Sequence, residues 1–176
     1  MMAKDVLLQV YRFLHRTYIK FISFMLILYR TYVVKHDGVQ RGLAGEIISR
    51  FENKGLKIVA MKLLDPTKSI VEQHYAEHRD KDYYDDLIKF STSGPMIAMV
   101  WEGPNCIKLV RRLVGATSIF ESEIGSIRGD YSLTRGRNLV HGSDSTEAAV
   151  REIGIWFKEN EIMSYPKVID TWLLDR

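Results

Sequence analysis

Short apolar strands alternate with amphipathic helices along residues 29–157, and this order restricts the chain to a small set of folds. Four strands are predicted, at Tyr32–Val34, Leu56–Leu64, Met96–Trp101 and Asn138–His141. Five helices are predicted, at Gly45–Lys54, Ser69–Glu77, Tyr83–Ser91, Ile107–Val114 and Ser145–Phe157. A loop is expected from Gly115 to about Gly129, and Asp144 is expected to cap the last helix. The order favours an α+β fold of the split βαβ kind, an antiparallel sheet with helices on one face.

The composition is that of one compact domain. The chain has 176 residues, of which 46% are hydrophobic, and no linker rich in Pro, Gly and Ser divides it. Its single cysteine, Cys106, excludes an internal disulfide and a zinc site made of cysteines. Because Cys106 lies in an apolar run, we expect a buried structural thiol in a reducing compartment.

Residues 1–30 differ in charge and hydropathy from the rest of the chain. Five basic residues against one acidic residue give this segment a charge of +4, which leaves −1 of the overall +3 for residues 31–176. A near-neutral body argues against specific nucleic-acid binding, which needs a basic face on the folded domain. The segment has an amphipathic helical pattern, and its apolar run Phe21–Tyr29 is about half of the roughly 20 residues that cross a bilayer.

Three interpretations of this N-terminal extension, residues 1–30, remain open. It is an extra helix packed on the domain or on a partner subunit, a membrane-surface or organellar targeting segment, or a translated leader upstream of a true start at Met25. No small-residue cleavage site follows it, which argues against a secretory signal. We expect a second unit over residues 31–176 and a cytoplasmic location, or an organellar or membrane-peripheral one if the extension is a targeting segment.

The motif over residues 138–145, Asn-Leu-Val-His-Gly-Ser-Asp-Ser, places His141 between a short apolar run and a polar turn that can fix its ring. A neutral imidazole is nucleophilic at pH 7 once one ring nitrogen is free and the other is held in place. Glu152 follows eleven residues later on the predicted last helix and can accept a hydrogen bond from the second nitrogen. The pattern therefore predicts a histidine nucleophile with a carboxylate partner.

Together with residues 35–42, Lys-His-Asp-Gly-Val-Gln-Arg-Gly, this motif resembles the nucleoside diphosphate kinase family, from about Arg30 to Tyr165. The resemblance implies a ferredoxin-like core and ping-pong transfer of the γ-phosphoryl group from a nucleoside triphosphate such as ATP to a nucleoside diphosphate, through a phosphohistidine. Mg²⁺ is expected to arrive on the nucleotide phosphates, because the sequence shows no carboxylate cluster with metal spacing. A closed homo-oligomer, hexamer or tetramer, is also implied.

The resemblance assigns a role to each residue of the site. His141 is the pros-phosphohistidine nucleophile, assisted by Glu152, Lys35 and Ser143. The nucleotide-binding positions are, by the same resemblance, Lys35, His74, Tyr75, Tyr83, Arg111, Thr117, Arg128 and Asn138.

These nucleotide-binding residues fall into three groups by chemistry. Arg111 and Arg128 clamp phosphates, because guanidinium groups match phosphate oxygens in two-point geometry, and Thr117 and His74 add further phosphate contacts. Lys35 and Asn138 match the positions that bind the ribose hydroxyls, with Tyr75 near Lys35. Tyr83 stands where the family usually has a phenylalanine stacked on the base, which implies broad nucleotide tolerance.

Two stretches depart from the family pattern. His36 replaces the proline of the Lys-Pro-Asp-Gly motif, which is expected to relax the end of the first strand and loosen Lys35. Residues 116–125 lack both prolines that relatives commonly carry, in a loop that shapes subunit contacts. An alternative function is a catalytically weak family member that acts as an interaction or membrane-surface protein through its basic extension.

Overall fold

The computed structural model describes residues 29–173. Residues 1–28, and with them nearly all of the expected N-terminal extension, lie outside the described residues. Tyr29 and Arg30, which the sequence analysis assigns to the extension, instead begin the first strand of the domain. Within residues 29–173, every helix is too short or too polar to cross a bilayer.

The described residues form strands and helices in the predicted alternation. The strands are β1 (Tyr29–Val34), β2 (Lys57–Leu64), β3 (Met96–Glu102) and β4 (Val140–Gly142). The helices are α1 (His36–Gln40), α2 (Ala44–Asn53), α3 (Lys68–His74), α4 (Tyr84–Ser91), α5 (Cys106–Val114), α6 (Ile127–Tyr131), α7 (Thr146–Trp156) and α8 (Asp170–Leu173). Two 3-10 turns, Ala76–His78 and Glu159–Glu161, follow α3 and α7.

The four strands make one antiparallel sheet in the order β2-β3-β1-β4. The first strand of the described residues, β1, is therefore central, paired with β3 on one side and with β4 on the other. Val33 of β1 stands opposite His141 of β4, which places the histidine on an edge strand of the described sheet, next to β1. This order confirms the predicted α+β fold of the split βαβ kind.

Both faces of the sheet are covered, which differs from the single helical face expected. On one face Tyr32 and Trp101 pack against Phe51 of α2 and the buried side of α5, including the Cys106 thiol, which is buried as predicted. On the other face the buried residues of β1, β2 and β3 contact the end of α7, through Val33, Val59, Ala60, Ala98, Val100, Trp156 and Phe157. A sheet with apolar residues on both faces needs cover on both.

Local corrections to the predicted elements have identifiable causes. In β2 the pairing register shifts between Ile58 and Ala60, so strict alternation of inward and outward residues ends there. Helix α6 lies in what was expected to be a loop, because the Ser126 hydroxyl accepts from the Gly129 amide and caps it. Ser145, not Asp144, caps α7, since its hydroxyl accepts from the Ala148 amide.

Candidate active site

Two side chains, His141 of β4 and Ser143 just after it, contact the same carboxylate oxygen of Glu152 in α7. Glu152 Oε2 lies 3.1 Å from His141 Nε2, and the Ser143 hydroxyl donates to the same oxygen at 2.8 Å. Glu152 and Ser143 are both buried, whereas the His141 side chain is 21% exposed where it faces a cavity. The structure thus joins three of the residues named from the sequence, with the carboxylate held at Nε2 of the histidine ring.

The surroundings of His141 favour its neutral form. Burial, followed by the charges of Lys35 and Arg128, lowers the pKa of His141 to about 3. A neutral imidazole has one N–H, and the contact with Glu152 assigns that hydrogen to Nε2. Nδ1 is then left with a free lone pair. An imidazole of this tautomer can attack an electrophilic phosphorus atom.

The backbone just before His141 is held in an unusual turn. Leu139 is fully buried with φ of 67°, and the Val140 amide donates to the Asn138 carbonyl at 2.7 Å across it. A three-residue turn with positive φ at a non-glycine residue is rare and strained, so its neighbours must hold it. The Asp37 carboxylate does so by accepting from the Leu139 amide at 3.1 Å. Nothing in the residue types of this segment signals the turn.

Lys35 and Asn138 are brought together as the resemblance implies. Both are buried, and Lys35 Nζ donates to Asn138 Oδ1. Lys35 keeps an extended backbone (φ −70°, ψ 165°) and its amide donates to the Leu139 carbonyl at 2.8 Å. The loosening expected from the missing proline is therefore not seen. His36 occupies the first position of α1, where no backbone N–H is needed, and packs edge-on against Phe90.

A cavity of about 270 Å³ opens beside His141 and is lined by three of the predicted phosphate-binding residues, Arg111, Thr117 and Arg128. Arg128 donates to the carbonyls of Val140 at 2.8 Å and Gly115 at 3.1 Å, and lies 3.4 Å from Thr117 Oγ1. Two backbone acceptors thus fix its guanidinium at the cavity wall. A concave site with two arginines suits a phosphate chain.

Sequence reasoning did not identify several residues of this cavity. Glu77, His78 and Asp144 also line it. Glu77 lies in the 3-10 turn after α3, and it pairs with Arg151 of α7 at 3.5 Å. Asp144 stands in the 138–145 motif, where the sequence suggests only a capping role, and no motif separates Glu77 from the many solvated carboxylates. Only the fold reveals that both face this cavity.

Tyr83 lies apart from the cavity wall. Its side chain is 51% exposed, and its hydroxyl lies 3.2 Å from Nδ1 of His78, which does line the cavity. The contact with His78 holds the half-exposed ring close to a residue of the cavity wall. An exposed aromatic ring at this place is available for stacking.

His74 and Tyr75 are buried behind His141. His74 is 2% exposed and absent from the cavity wall, so it has no direct path to a phosphate there. This differs from the phosphate contact expected. The ring centroids of His74 and Tyr75 lie 4.3 Å and 5.8 Å from that of His141, both edge-on. Their position indicates a supporting role for the nucleophile's ring.

His74, His141 and Glu152 also stand close enough to suggest a metal centre. One ligand atom from each lies within 4.8 Å of the others. However, Nδ1 of His74 accepts a hydrogen bond from Trp156 Nε1 at 3.1 Å, so the hydrogen of the neutral ring is on Nε2. Burial holds the pKa of His74 well below its usual range, which keeps the ring neutral. His74 therefore has no free lone pair for a cation, and the trio does not fit a metal centre.

Comparison with known proteins agrees with this geometry. Residues 30–162 match the model of the family described as nucleoside diphosphate kinase. Proteins named nucleoside diphosphate kinase from Carboxydothermus hydrogenoformans and Archaeoglobus fulgidus are 51% and 54% identical over 147 residues. These alignments cover 83% of this chain and 99% and 97% of the two relatives.

Solved structures give the same result for the fold. A nucleoside diphosphate kinase family protein from Babesia bovis has a TM-score of 0.81 and 46% identity, covering 84% of this chain and 99% of its own. A halophilic nucleoside diphosphate kinase from Halobacterium salinarum, solved in complex with CDP, has a TM-score of 0.81 and 44% identity over 84% of this chain and 98% of its own. The chain belongs to the nucleoside diphosphate kinase family.

Proposed function

We propose that the chain transfers γ-phosphoryl groups between nucleotides through a phosphohistidine on His141 Nδ1. The observation that carries this proposal is the contact between Glu152 and His141 Nε2, which leaves Nδ1 free beside a cavity with two arginines. The family supplies the reaction, and the geometry supports one nitrogen as its nucleophile.

In the first half-reaction, Nδ1 attacks the γ-phosphorus of a bound nucleoside triphosphate. The new N–P bond forms as the bond from the γ-phosphorus to the bridging oxygen breaks, and the nucleoside diphosphate leaves with the bond's electron pair. Glu152 accepts a hydrogen bond from the N–H at Nε2 and stabilises the positive charge that develops on the ring. A second diphosphate then binds in the same site and takes the phosphoryl group by the reverse path.

Charge compensation is the main demand of phosphoryl transfer, because negative charge spreads over the phosphate oxygens in the transition state. Arg111 and Arg128 meet this demand, since both line the cavity next to His141. Mg²⁺, when it arrives on the phosphates, neutralises part of their charge. Glu77 and Asp144 line the same cavity, and their carboxylates suit a hydrated metal ion carried by the nucleotide.

The nucleoside is bound by groups outside the phosphate cavity. Lys35 and Asn138 form a buried pair that is suited to ribose hydroxyls, and the exposed ring of Tyr83 is suited to the base. Stacking distinguishes bases poorly because every base has a flat face. One site is thus able to serve donor and acceptor nucleotides in turn.

Labelled ATP tests this proposal directly. Incubation of the purified chain with γ-labelled ATP should give a phosphoprotein that is labile in acid and stable in base, and nucleoside diphosphates should remove the label. His141→Ala should abolish both steps, while His78→Ala, a histidine of the same cavity, should still take up label. Labelling of the His141→Ala protein would show that another residue is the nucleophile.

Self-association in a closed hexamer or tetramer is part of the same proposal. Large apolar side chains of the 116–125 loop and of the segment after α7 are almost fully exposed, at Phe120, Ile124, Val168 and Trp172. Exposed apolar residues of this number are expected to be covered by another surface. Light scattering during size-exclusion chromatography would distinguish the two sizes from a monomer. We place the enzyme in the cytoplasm, with a membrane surface or organelle as the alternative if residues 1–30 bind or target there.

A further inference from the structure

Arg30 is a completely buried cation in the central strand. Its exposed fraction is 0%, and it shares the side of β1 that carries Tyr32 and Val34. Among residues 29–173, Nη1 donates to the Ser145 carbonyl at 3.3 Å, while Nε and Nη2 have no hydrogen-bond partner. None of the ion pairs among residues 29–173 includes Arg30. Burial lowers the pKa of Arg30 to about 10, which still leaves it charged at neutral pH.

Such a residue opposes folding. A buried charge without a carboxylate partner loses its hydration and gains little in return, and apolar side chains in such places often make proteins more stable. Stability alone therefore gives no reason for an arginine at position 30. A residue that lowers stability and lies next to a reactive site suggests a functional role.

The hydrogen bond that Arg30 donates within the described part of the chain reaches the helix that carries Glu152. Ser145, whose carbonyl accepts from Arg30, is the N-cap of α7, and its hydroxyl accepts from the Ala148 amide at 3.1 Å. The next residue of β1, Thr31, donates from its hydroxyl to the Ala149 carbonyl at 3.3 Å. Two successive residues of β1 thus hold the first turns of α7, and with them the position of Glu152.

The charge of Arg30 also acts on both partners of the nucleophile pair. It lowers the pKa of the Glu152 carboxyl, against burial, which raises it, and it helps to lower the pKa of His141. Both effects favour an ionised carboxylate beside a neutral imidazole. The other charged and titratable groups that face this pair come from the N-cap of α1, from α3, α6 and α7, and from the turn before α7: Lys35, His74, Arg128, Arg151 and Asp144.

We propose that Arg30 is a positioning residue for phosphotransfer, which fixes the start of α7 and stabilises the ionised Glu152 that orients His141. The proposal rests on the phosphohistidine function given above. Under this proposal, Arg30 raises the phosphotransfer rate of the enzyme and lowers the stability of the fold.

Arg30→Met in the full chain separates the two effects, because methionine fills similar space without charge. We expect a melting temperature that is higher by about 2–4 °C or more, as follows from removing a buried charge in a chain of this length. We expect kcat to fall about tenfold with KM changed less than about threefold, since orientation and not binding is lost. The acid limb of the kcat/KM profile should move up by about half a pH unit, because the pKa values of Glu152 and His141 both rise. Arg30→Lys, which keeps the charge, should leave that limb near its wild-type position.

Arg50→Met is the matched control. Arg50 is an arginine of the scaffold with ion pairs to Glu46 at 3.0 Å and Asp130 at 2.7 Å, so its loss should lower the melting temperature and leave the acid limb in place. Unchanged kcat and acid limb in Arg30→Met would overturn the proposal. So would an Arg30→Met protein that melts lower or fails to fold, because the charge would then be structural. A wild-type chain that takes no label from ATP would instead overturn the proposed function itself.

Discussion

Replacing His141 by glutamine should abolish phosphotransfer and at the same time make the protein more resistant to acid. Glutamine keeps an N–H that can reach Glu152, but it cannot bind a proton in this pH range. His141 in the folded protein has a pKa of about 3, against 6.5 for an unperturbed histidine. Between these two values the unfolded chain binds a proton that the folded chain does not, so acid favours unfolding.

The size of this effect follows from the difference between the two pKa values. The stability of the folded protein that depends on a neutral His141 is fully present above pH 6.5, and it is lost progressively as the pH falls towards about 3. Between pH 6.5 and pH 5, a span of about 1.5 pH units, the free energy of unfolding falls by about 1.36 kcal/mol per unit, or ~2 kcal/mol in total. Because the side chain is 21% exposed, solvent screening reduces this, and we expect about 1–2 kcal/mol.

Urea unfolding at pH 7 and pH 5 gives the loss of unfolding free energy between the two pH values for each protein. The loss in His141→Gln is then subtracted from the loss in the wild type. The wild type should lose about 1–2 kcal/mol more than His141→Gln between the two pH values. The contribution of His74 is present in both proteins and largely cancels. Equal losses in the two proteins would refute the argument, because His141 would then titrate like an exposed histidine and would not be held neutral by its surroundings.

Further predictions concern the other site residues and the extension. Glu152→Gln should lower kcat about ten- to a hundredfold in steady-state assays, yet raise the urea-measured stability at pH 7, since burial raises the pKa of this carboxyl. Arg111→Ala should lower kcat as well as raise KM, because developing charge strengthens its contacts, whereas Arg112→Ala, outside the cavity wall, should change either value less than about twofold. Initial-rate plots should be parallel, and ATP and GTP should differ in kcat/KM by less than about a hundredfold, because Tyr83 offers only a stacking face. A chain that starts at Met25 should keep its activity within about an order of magnitude, since every proposed nucleotide-contacting residue lies beyond residue 34.

Hydrophobic periodicity predicted the elements that are long enough to show a period. All four strands and all five predicted helices are present, with ends shifted by a few residues. The missed helices, α1, α6 and α8, have five, five and four residues, too few to show a helical period. The second covered face was missed because a strand's own pattern gives its buried positions but not which element covers them. The sequence predicts that Val33 and Ala98 are buried, whichever element covers them.

The site was predictable where a motif encodes it and not where the fold assembles it. His141, Ser143 and Glu152 lie within eleven residues of one another, so their sequence pattern anticipates their contact. The positive φ of Leu139 has no such signal, since leucine is an unfavourable residue for that conformation. Arg30 was grouped with the extension because a charge count along the chain cannot see that the residue is buried.

The central place of β1 determines when the active site can form. β1 is the first described strand to leave the ribosome, but its two partners begin only at Met96 and Val140. Pairings across such long stretches of chain require large loops to close, and they slow folding relative to local contacts. The apolar residues of β1 therefore remain without their partners while most of the chain is synthesised, which makes this strand a target for chaperones and a starting point for aggregation. Because β4 carries His141, the active site cannot be complete before β4 pairs with β1.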